Sequence, residues 1–256
     1  MTTTHGRYTW YELMTTDTKA AKVFYGKVLG WGTQEMPNPA MPYTLFTLAE
    51  RPVAGLMTLP EQARAMGAPP SWVGYVGVDD VDATTQEITR LGGKIYMKPT
   101  DIPEVGRFAV VADPQGATFA LLTRTDPAQG QAAPGTPGRA GWHELMAVDW
   151  EQAFAFYSKL FGWQKGEPVN MGEMGTYQLF TIGGEAIGGM FNKPPMLPVP
   201  FWLYYFNVAD IEAAGRRITA AGGRVMMGPH QVPTGSWIIH AQDPQGAMFA
   251  LVGPKG

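Results

Sequence analysis

Trp10-Tyr11-Glu12-Leu13-Met14 decides the fold, because the same pattern returns as Trp142-His143-Glu144-Leu145-Met146. At equal spacing, each copy is followed by an Asp, a Phe-Tyr pair and a Gly-Trp pair. These are Asp17, Phe24-Tyr25 and Gly30-Trp31 in the first copy, and Asp149, Phe156-Tyr157 and Gly162-Trp163 in the second. A turn motif also returns, as Asp113-Pro114-Gln115-Gly116-Ala117 and Asp243-Pro244-Gln245-Gly246-Ala247. The period of about 130 residues is too long for a solenoid repeat and indicates a duplicated domain.

The composition is that of an ordered globular chain without a strong charge. Hydrophobic residues make up 45% and charged residues 16% of the 256 residues, and the formal net charge is −3. Such a chain has no basic patch to attract nucleic acid, so no nucleic-acid partner is expected. Its N-terminus has no signal-peptide pattern and no apolar run is long enough for a bilayer, which predicts a cytoplasmic protein without membrane contact. The chain has no cysteine, which excludes disulfides and thiolate metal ligands.

A linker is predicted between the two copies. Residues 125–139 are rich in Pro, Gly, Ala and Gln and have no apolar periodicity. We therefore predict one domain over 1–124, the linker over 125–139 and a second domain over 140–256.

Each half is predicted to contain two cycles of one strand, one helix and three strands. In the first half, Asp17 is the N-cap of a helix that ends at Gly30, and a second helix runs from Asp80 to Leu91. Strands are predicted at 8–16, 31–36, 43–48, 52–58, 72–78, 94–97, 107–112 and 118–123. The corresponding helices of the second half are Asp149–Phe161 and Asp210–Ala221. The pattern predicts an α+β fold of four βαβββ modules, in which helices cover one face of each sheet.

These motifs resemble the vicinal-oxygen-chelate superfamily, which includes glyoxalase I, bleomycin-resistance proteins and extradiol dioxygenases. The resemblance rests on Phe-Tyr-x-x-x-x-Gly-Trp, Val78-Asp79-Asp80-Val81-Asp82 and Asp-Pro-Gln-Gly, and it covers nearly the whole chain outside the linker. The Trp-x-Glu-Leu opening of each half is similar to a subgroup of two-domain actinobacterial proteins classed as glyoxalase-like or as hydroxylases. The resemblance implies tandem domains, each with a curved mixed sheet around a concave cavity and with its helices outside.

The resemblance also implies a divalent metal ion, held by His, Glu or Gln at three positions in a half. Here those positions are occupied by Trp10, Val73 and Ala120 in the first half and by Trp142, Leu203 and Ala250 in the second. An indole nitrogen keeps its proton and aliphatic side chains have no donor atom, so none of the six can bind a metal. We therefore predict no metal site and no cofactor. Of the four histidines, His5, His143, His230 and His240, only His240 is placed to reach a cavity, and His230 is expected in a loop.

Glu12 and Glu144 are the candidate catalytic residues. Each lies two residues after a vacated ligand position, so it points to the same sheet face. A carboxylate in an apolar cavity has a raised pKa and can act as a general acid or base near neutral pH. The alternative is a structural role, in which each Glu is hydrogen-bonded within the sheet.

Aromatic and polar side chains are the candidate ligand-binding residues. They are Trp10, Tyr43, Tyr75, Trp142, Tyr177, Tyr205, Asn207 and His240. Flat aromatic walls bind planar or hydrophobic molecules by stacking and by area burial. For each aromatic residue, ordinary core packing is the alternative. The strings Gly183-Gly184 and Gly188-Gly189 are predicted to be hairpin turns rather than phosphate loops.

Three functions follow from this pattern, in order of preference. The first is metal-independent binding of a small hydrophobic or aromatic molecule, such as a secondary metabolite or a drug-like compound. The second is a metal-free enzyme, an isomerase, lyase or hydroxylase, with Glu12 or Glu144 as acid or base. The third, a metal-dependent glyoxalase or dioxygenase, is disfavoured by the vacated ligand positions. Whether the protein is a monomer or a homodimer is left open.

Overall fold

The computed structural model describes residues 4–37, 42–125 and 135–256. The first half contains β1 Tyr8–Thr15, α1 Thr18–Leu29, β2 Gly32–Met36, β3 Tyr43–Leu48, β4 Arg51–Thr58, α2 Glu61–Ala65, β5 Ser71–Gly77, α3 Val81–Arg90, β6 Lys94–Ile102, β7 Gly106–Ala112 and β8 Thr118–Arg124. The second half contains β9 Ala140–Ala147, α4 Trp150–Phe161, β10 Gln164–Asn170, a 3-10 turn Gly172–Met174, β11 Thr176–Ile182, β12 Glu185–Asn192, β13 Phe201–Asn207, α5 Ile211–Ala220, β14 Arg224–Gln231, β15 Trp237–Gln242 and β16 Met248–Gly253. The predicted cycle of strand, helix and three strands is confirmed in all four modules.

The strands form two eight-stranded mixed sheets. The strand order is β2-β3-β4-β1-β5-β8-β7-β6 in the first sheet and β10-β11-β12-β9-β13-β16-β15-β14 in the second. β1 and β4 are parallel, as are β9 and β12, whereas the hairpin strands are antiparallel. The predicted duplicated α+β fold is confirmed.

The helix termini follow the local sequence signals. The Asp17 side chain accepts a hydrogen bond from the Ala20 amide at the start of α1, and Gly30 ends the helix with a left-handed φ of 74°. Asp149 and Gly162 cap α4 in the same way, and the φ of Gly162 is 69°. Glycine is favoured at the C-terminal end of each of these two helices because it adopts the left-handed conformation without a Cβ clash. Among the described residues, no helix is long and apolar enough to cross a membrane.

β6 is longer than predicted. The pattern ended this strand before Pro99, but β6 continues to Ile102. It is the last strand of its sheet, and its pairing with β7 shifts register at Met97 and Thr100. An edge strand tolerates proline because its outer N–H groups need no partner in the sheet, and bulges absorb the irregularity.

The chain forms two compact units that do not coincide with its two halves. The first unit consists of the described residues of 1–9, 74–131 and 143–203, and the second unit of those of 10–73, 132–142 and 204–256. Each unit therefore combines one module from each half. The predicted domain limits of 1–124, 125–139 and 140–256 stay a prediction, and residues 126–134 of the predicted linker lie outside the described residues.

A buried hydrogen-bond network, here called the Trp-Tyr-Asp network, joins the two halves inside the second unit. The Trp72 indole donates to the Tyr25 hydroxyl over 2.9 Å, and that hydroxyl donates to Asp243 Oδ2 over 3.1 Å. Asp243 Oδ1 accepts the amides of Gln245 and Ala247, both at 2.9 Å. The turn motif thus orients a carboxylate toward a helix of the other half.

The first unit contains a second copy of this network. Trp202 donates to the Tyr157 hydroxyl and Tyr157 to Asp113 Oδ2, each over 3.0 Å. Burial, as the larger influence, raises the pKa of both Asp113 and Asp243, against the opposing effect of the hydrogen bonds that they accept. The repeated Phe-Tyr, Trp and Asp-Pro-Gln-Gly motifs therefore encode core packing that links one half to the other.

Candidate functional site

Three predicted site residues, Trp10, Glu12 and Tyr43, meet in the second unit and are called the Glu12 cluster. The Tyr43 hydroxyl donates to Glu12 Oε2 over 2.8 Å, and the Trp10 indole donates to the Tyr43 oxygen over 3.2 Å. The Glu12 side chain is buried, with 7% of the residue exposed. Burial and the nearby Glu12 carboxylate raise the pKa of Tyr43, so its phenol stays protonated and donates at neutral pH.

Strand alternation places this cluster on one face of β1. Tyr11, on the opposite face, packs edge-on against Tyr204 with ring centroids 5.5 Å apart, and Leu13 is fully buried. Trp10 and Glu12 alternate with these residues and so share the other face. The predicted common orientation of Trp10 and Glu12 thus agrees with their shared contact with Tyr43.

A glycine on β4 makes room for the Glu12 cluster. Gly55 is the parallel neighbour of Glu12. A Cβ atom on Gly55 would lie 1.9 Å from the Tyr43 hydroxyl oxygen and 3.2 Å from Glu12 Oε2. Any side chain at position 55 would therefore displace the phenol from the carboxylate. The sequence reasoning missed this residue, although the glycine lies at matching places in both halves.

Glu144 has a similar setting in the first unit. It is 6% exposed, and its parallel neighbour on β12 is Gly189. A Cβ atom there would lie 2.1 Å from Tyr177 Cε1, so the Tyr177 ring covers this glycine. Gly188-Gly189 was predicted to be a turn, and that prediction is wrong, because the turn between β11 and β12 lies at Gly183-Gly184. Trp142 is half-buried on β9.

Tyr205 and His240 form a second polar pair in the second unit. The Tyr205 hydroxyl oxygen and His240 Nε2 lie 2.6 Å apart and share a hydrogen bond. Burial lowers the pKa of His240 to about 4, so its ring is neutral at neutral pH. Asn207 donates to the Arg139 carbonyl oxygen over 3.0 Å, so this predicted ligand-binding residue is engaged with the backbone.

At the equivalent place in the first unit, Val110 stands where the second unit has His240. Tyr75 is 5% exposed and its ring centroid lies 6.2 Å from that of Phe108. Val110 is the cross-strand partner of Ala120, as His240 is of Ala250. The tyrosine is therefore common to both copies, whereas the histidine belongs to one copy.

The other histidines have different surroundings. His143 Nδ1 lies 2.5 Å from the Ile187 carbonyl oxygen, and its ring stacks on Tyr8 with centroids 3.9 Å apart. Burial lowers the pKa of His143 to about 4. His5 lies 3.4 Å from an Asp79 carboxylate oxygen. His230 was expected in a loop, but it is part of β14.

The residues do not fit the metal site that the resemblance implies. The six positions hold tryptophan, valine, leucine and alanine, whose side chains have no metal-binding lone pair. Within residues 4–37, 42–125 and 135–256, no group of three His, Asp or Glu side chains is arranged to hold a metal ion.

An open groove of about 760 Å³ lies beside α5, and none of the residues that line it is a predicted site residue. Its lining includes Gly215, Arg216, Val225 and Ile239. Ile239 is buried on the α5 side of β15, whereas its neighbour His240 is only partly buried. The groove and the Tyr205–His240 pair are therefore on opposite faces of the strand.

Comparison with known proteins identifies similar chains over nearly the whole length. The family model described as Glyoxalase/Bleomycin resistance protein/Dioxygenase superfamily matches residues 7–121 and 139–251. CFP32 of Mycobacterium tuberculosis, which is named a glyoxylase, is 34% identical over 97% of this chain and 95% of its own length. The anthracycline biosynthesis protein DnrV of Streptomyces peucetius is 32% identical over 96% of this chain and 93% of its own length.

Solved structures show a similar fold at low sequence identity. A Mn(II)-bound glyoxalase from Novosphingobium aromaticivorans aligns with a TM-score of 0.66 and 15% identity, over 99% of this chain and 83% of that protein. The 2,3-dioxygenase LapB from Pseudomonas sp. KL28 aligns with a TM-score of 0.67 and 13% identity, over 98% of this chain and 92% of LapB.

Proposed function

The chain belongs to the Glyoxalase/Bleomycin resistance protein/Dioxygenase superfamily, and on that premise we propose that it binds a small hydrophobic or aromatic molecule without a metal ion. The Glu12 cluster is the observation that carries this proposal. It puts a buried carboxylate, a phenol and an indole together where the family's metal chemistry would need a nitrogen or oxygen ligand in place of Trp10.

The cluster has the composition of a binding site for a flat molecule with one or two polar groups. Trp10 and Tyr43 supply ring surface, and Glu12 supplies an acceptor that is already oriented by the Tyr43 hydrogen bond. The relative DnrV is named for anthracycline biosynthesis. That name supports a secondary metabolite or a related drug-like compound as the ligand of this chain.

The second candidate is a metal-free enzyme of the isomerase, lyase or hydroxylase kind. It is favoured by the burial of Glu12 and Glu144, because a carboxylate held out of water can take or give a proton near neutral pH. In this reading Glu12 or Glu144 is the acid or base. For either function, a cytoplasmic location and a monomeric or homodimeric state remain proposals from the sequence.

The metal question is tested by elemental analysis of the purified protein. We expect no stoichiometric zinc, nickel, manganese or iron, and we expect ligand affinity to survive dialysis against a chelator. A stoichiometric metal whose removal abolishes binding would overturn the metal-free proposal.

Binding and catalysis are separated by Glu12→Gln after a thermal-shift screen of polycyclic aromatic metabolites has supplied a ligand. If the protein only binds, affinity should fall a few-fold, because the amide keeps one acceptor for Tyr43. If it is an enzyme, turnover of that compound should be lost instead. Glu61→Gln, on the exposed helix α2, is the matched control. Affinity that is unchanged in Glu12→Gln and Glu144→Gln would contradict the proposed site.

A further inference from the structure

We propose that the groove beside α5 is a second binding site, which takes an amphipathic anion, a molecule with an apolar body and one carboxylate or sulfonate group. The volume of the groove, about 760 Å³, is in the range of small-molecule sites. All of its lining residues belong to α5, β14 and β15, and none belongs to the Glu12 cluster. This inference is therefore independent of the function proposed for that cluster.

The groove has an apolar floor. Ile239 on β15 is fully buried, and Val225 and Pro229 line the groove from β14. From α5, Gly215 and Ala220 contribute almost no side-chain volume, which leaves space between the helix and the strands. The apolar body of a ligand in this space would remove its own surface and that of the floor from water, which stabilises binding.

Arg216 is the cation of the groove. It is exposed on α5, and in the described part of the chain its guanidinium forms no hydrogen bond and no ion pair. Glu212 lies four residues earlier on the helix, at the spacing where a carboxylate and an arginine commonly pair. Here Lys255 engages Glu212 instead, over 2.9 Å from Nζ to Oε1. The charge of Arg216 is therefore available to an anion in the groove.

Asp210, the other carboxylate that the charge of Arg216 influences, is occupied as the N-cap of α5. Its Oδ1 accepts the amides of Glu212 over 2.9 Å and of Ala213 over 3.0 Å. The Ala213 amide, and to a smaller degree Arg216, lower the pKa of Asp210. A ligand carboxylate or sulfonate can do what Asp210 does not, since a planar guanidinium binds two oxygens of one group at once.

The equivalent helix of the first half has different residues at the two decisive positions. Gln86 of α3 stands where α5 has Arg216, and Arg90 stands where α5 has Ala220. The Arg90 guanidinium is paired with Glu87, over 2.6 Å from Nε to Oε2. These positions of α3 thus combine a neutral side chain with a long, ion-paired one, so we expect the anion to bind beside α5 and not beside α3.

The test compares two fluorescent probes that differ by one sulfonate group, 8-anilino-1-naphthalenesulfonate and N-phenyl-1-naphthylamine, in titrations of the full chain. Arg216→Gln, which copies the first half, should raise the dissociation constant of the sulfonate about fivefold, the effect of one exposed ion pair, and leave that of the neutral probe unchanged. Ala220→Trp fills the groove and should weaken binding of both probes. Arg90→Gln on α3 is the matched control and should change neither.

The outcomes separate this inference from the proposed function. Sulfonate affinity that Arg216→Gln and Ala220→Trp leave unchanged would overturn the groove as the site, as would failure of the sulfonate to bind the wild type. Equal weakening of both probes by Arg216→Gln would overturn the preference for an anion. Weakening by Glu12→Gln alone would place the probe at the Glu12 cluster, against this inference and in favour of the proposed function. Arg216 and Ala220 are exposed, and thermal melts show that their variants keep the fold.

Discussion

The Trp-Tyr-Asp network and the candidate site differ in how closely their two copies agree. In the network, Tyr25 donates to Asp243 over 3.1 Å and Tyr157 to Asp113 over 3.0 Å. In the candidate site, the two copies share glutamate, tyrosine and glycine, but the position of His240 in one copy is occupied by Val110 in the other. The duplication has therefore kept the contacts that hold the fold, while the face beside the candidate site has diverged.

The largest expected effect comes from breaking the network. Asp243→Ala leaves the Tyr25 hydroxyl and two turn amides without their acceptor in a buried place, which should cost about 3–5 kcal/mol of unfolding free energy. Asp113→Ala should cost nearly the same, and both losses are measured by urea denaturation. The exposed Asp101→Ala is the control and should have little effect. Clearly unequal losses at 113 and 243 would contradict the equivalence of the two networks.

The next effect concerns His143, whose pKa burial lowers from 6.5 to about 4. Between pH 6.5 and about pH 4, His143 binds a proton in the unfolded chain but not in the folded chain. The free energy of unfolding is therefore highest above pH 6.5, the pKa of the unfolded chain, and falls as the pH drops toward 4. The loss should reach about 3 kcal/mol relative to His143→Phe, measured by urea denaturation from pH 7 to pH 4. Tyr11→Phe, at the equivalent position, should show a constant offset from the wild type. A constant offset for His143→Phe as well would refute the prediction.

Gly55→Ala tests the space under Tyr43. The added methyl group would overlap the Tyr43 hydroxyl, so we expect a stability loss of about 1–3 kcal/mol and a loss of ligand affinity of at least about tenfold. Gly189→Ala should act similarly through Tyr177. Gly26→Ala is the matched control, since it lies within α1 and its nearest neighbour would be 3.3 Å away. Unchanged affinity in Gly55→Ala would show that Tyr43 is not positioned by this glycine for binding.

The smallest effect is expected for Tyr43→Phe, which keeps the ring but removes the hydrogen bond that Tyr43 donates to Glu12 and the longer one that it accepts from Trp10. The expected loss is about 1 kcal/mol of unfolding free energy, measured by thermal and urea denaturation. Tyr96→Phe, at an exposed tyrosine on β6, is the control. A gain in stability would mean that the Tyr43 hydroxyl is strained in place rather than stabilised by Glu12.

The sequence predicted what depends on neighbouring residues and missed what depends on distant pairing. Asp17 and Gly30 mark the ends of α1 because capping is local. The link from Tyr25 to Asp243 was missed, since no local pattern tells which helix packs against which turn. Glu12 and Tyr43 were both candidates, but their hydrogen bond depends on the placement of β3 and β4 beside β1. Gly189 was wrongly predicted to be in a turn, because a pair of adjacent glycines is also typical of a hairpin turn. In the structure it lies within β12, where the Tyr177 ring covers it.

The exchange of modules between the halves has a consequence for how such a chain can be cut or built. A protein that ended after β8 would carry Tyr25 without Asp243 and Asp113 without Tyr157, so neither of its cores would be complete. Two copies of that shorter protein could supply each other's missing partner, with Tyr25 of one meeting Asp113 of the other. In that sense the tandem chain is equivalent to a covalent dimer, because one chain supplies both partners without the concentration-dependent association of two subunits, and each site can change alone.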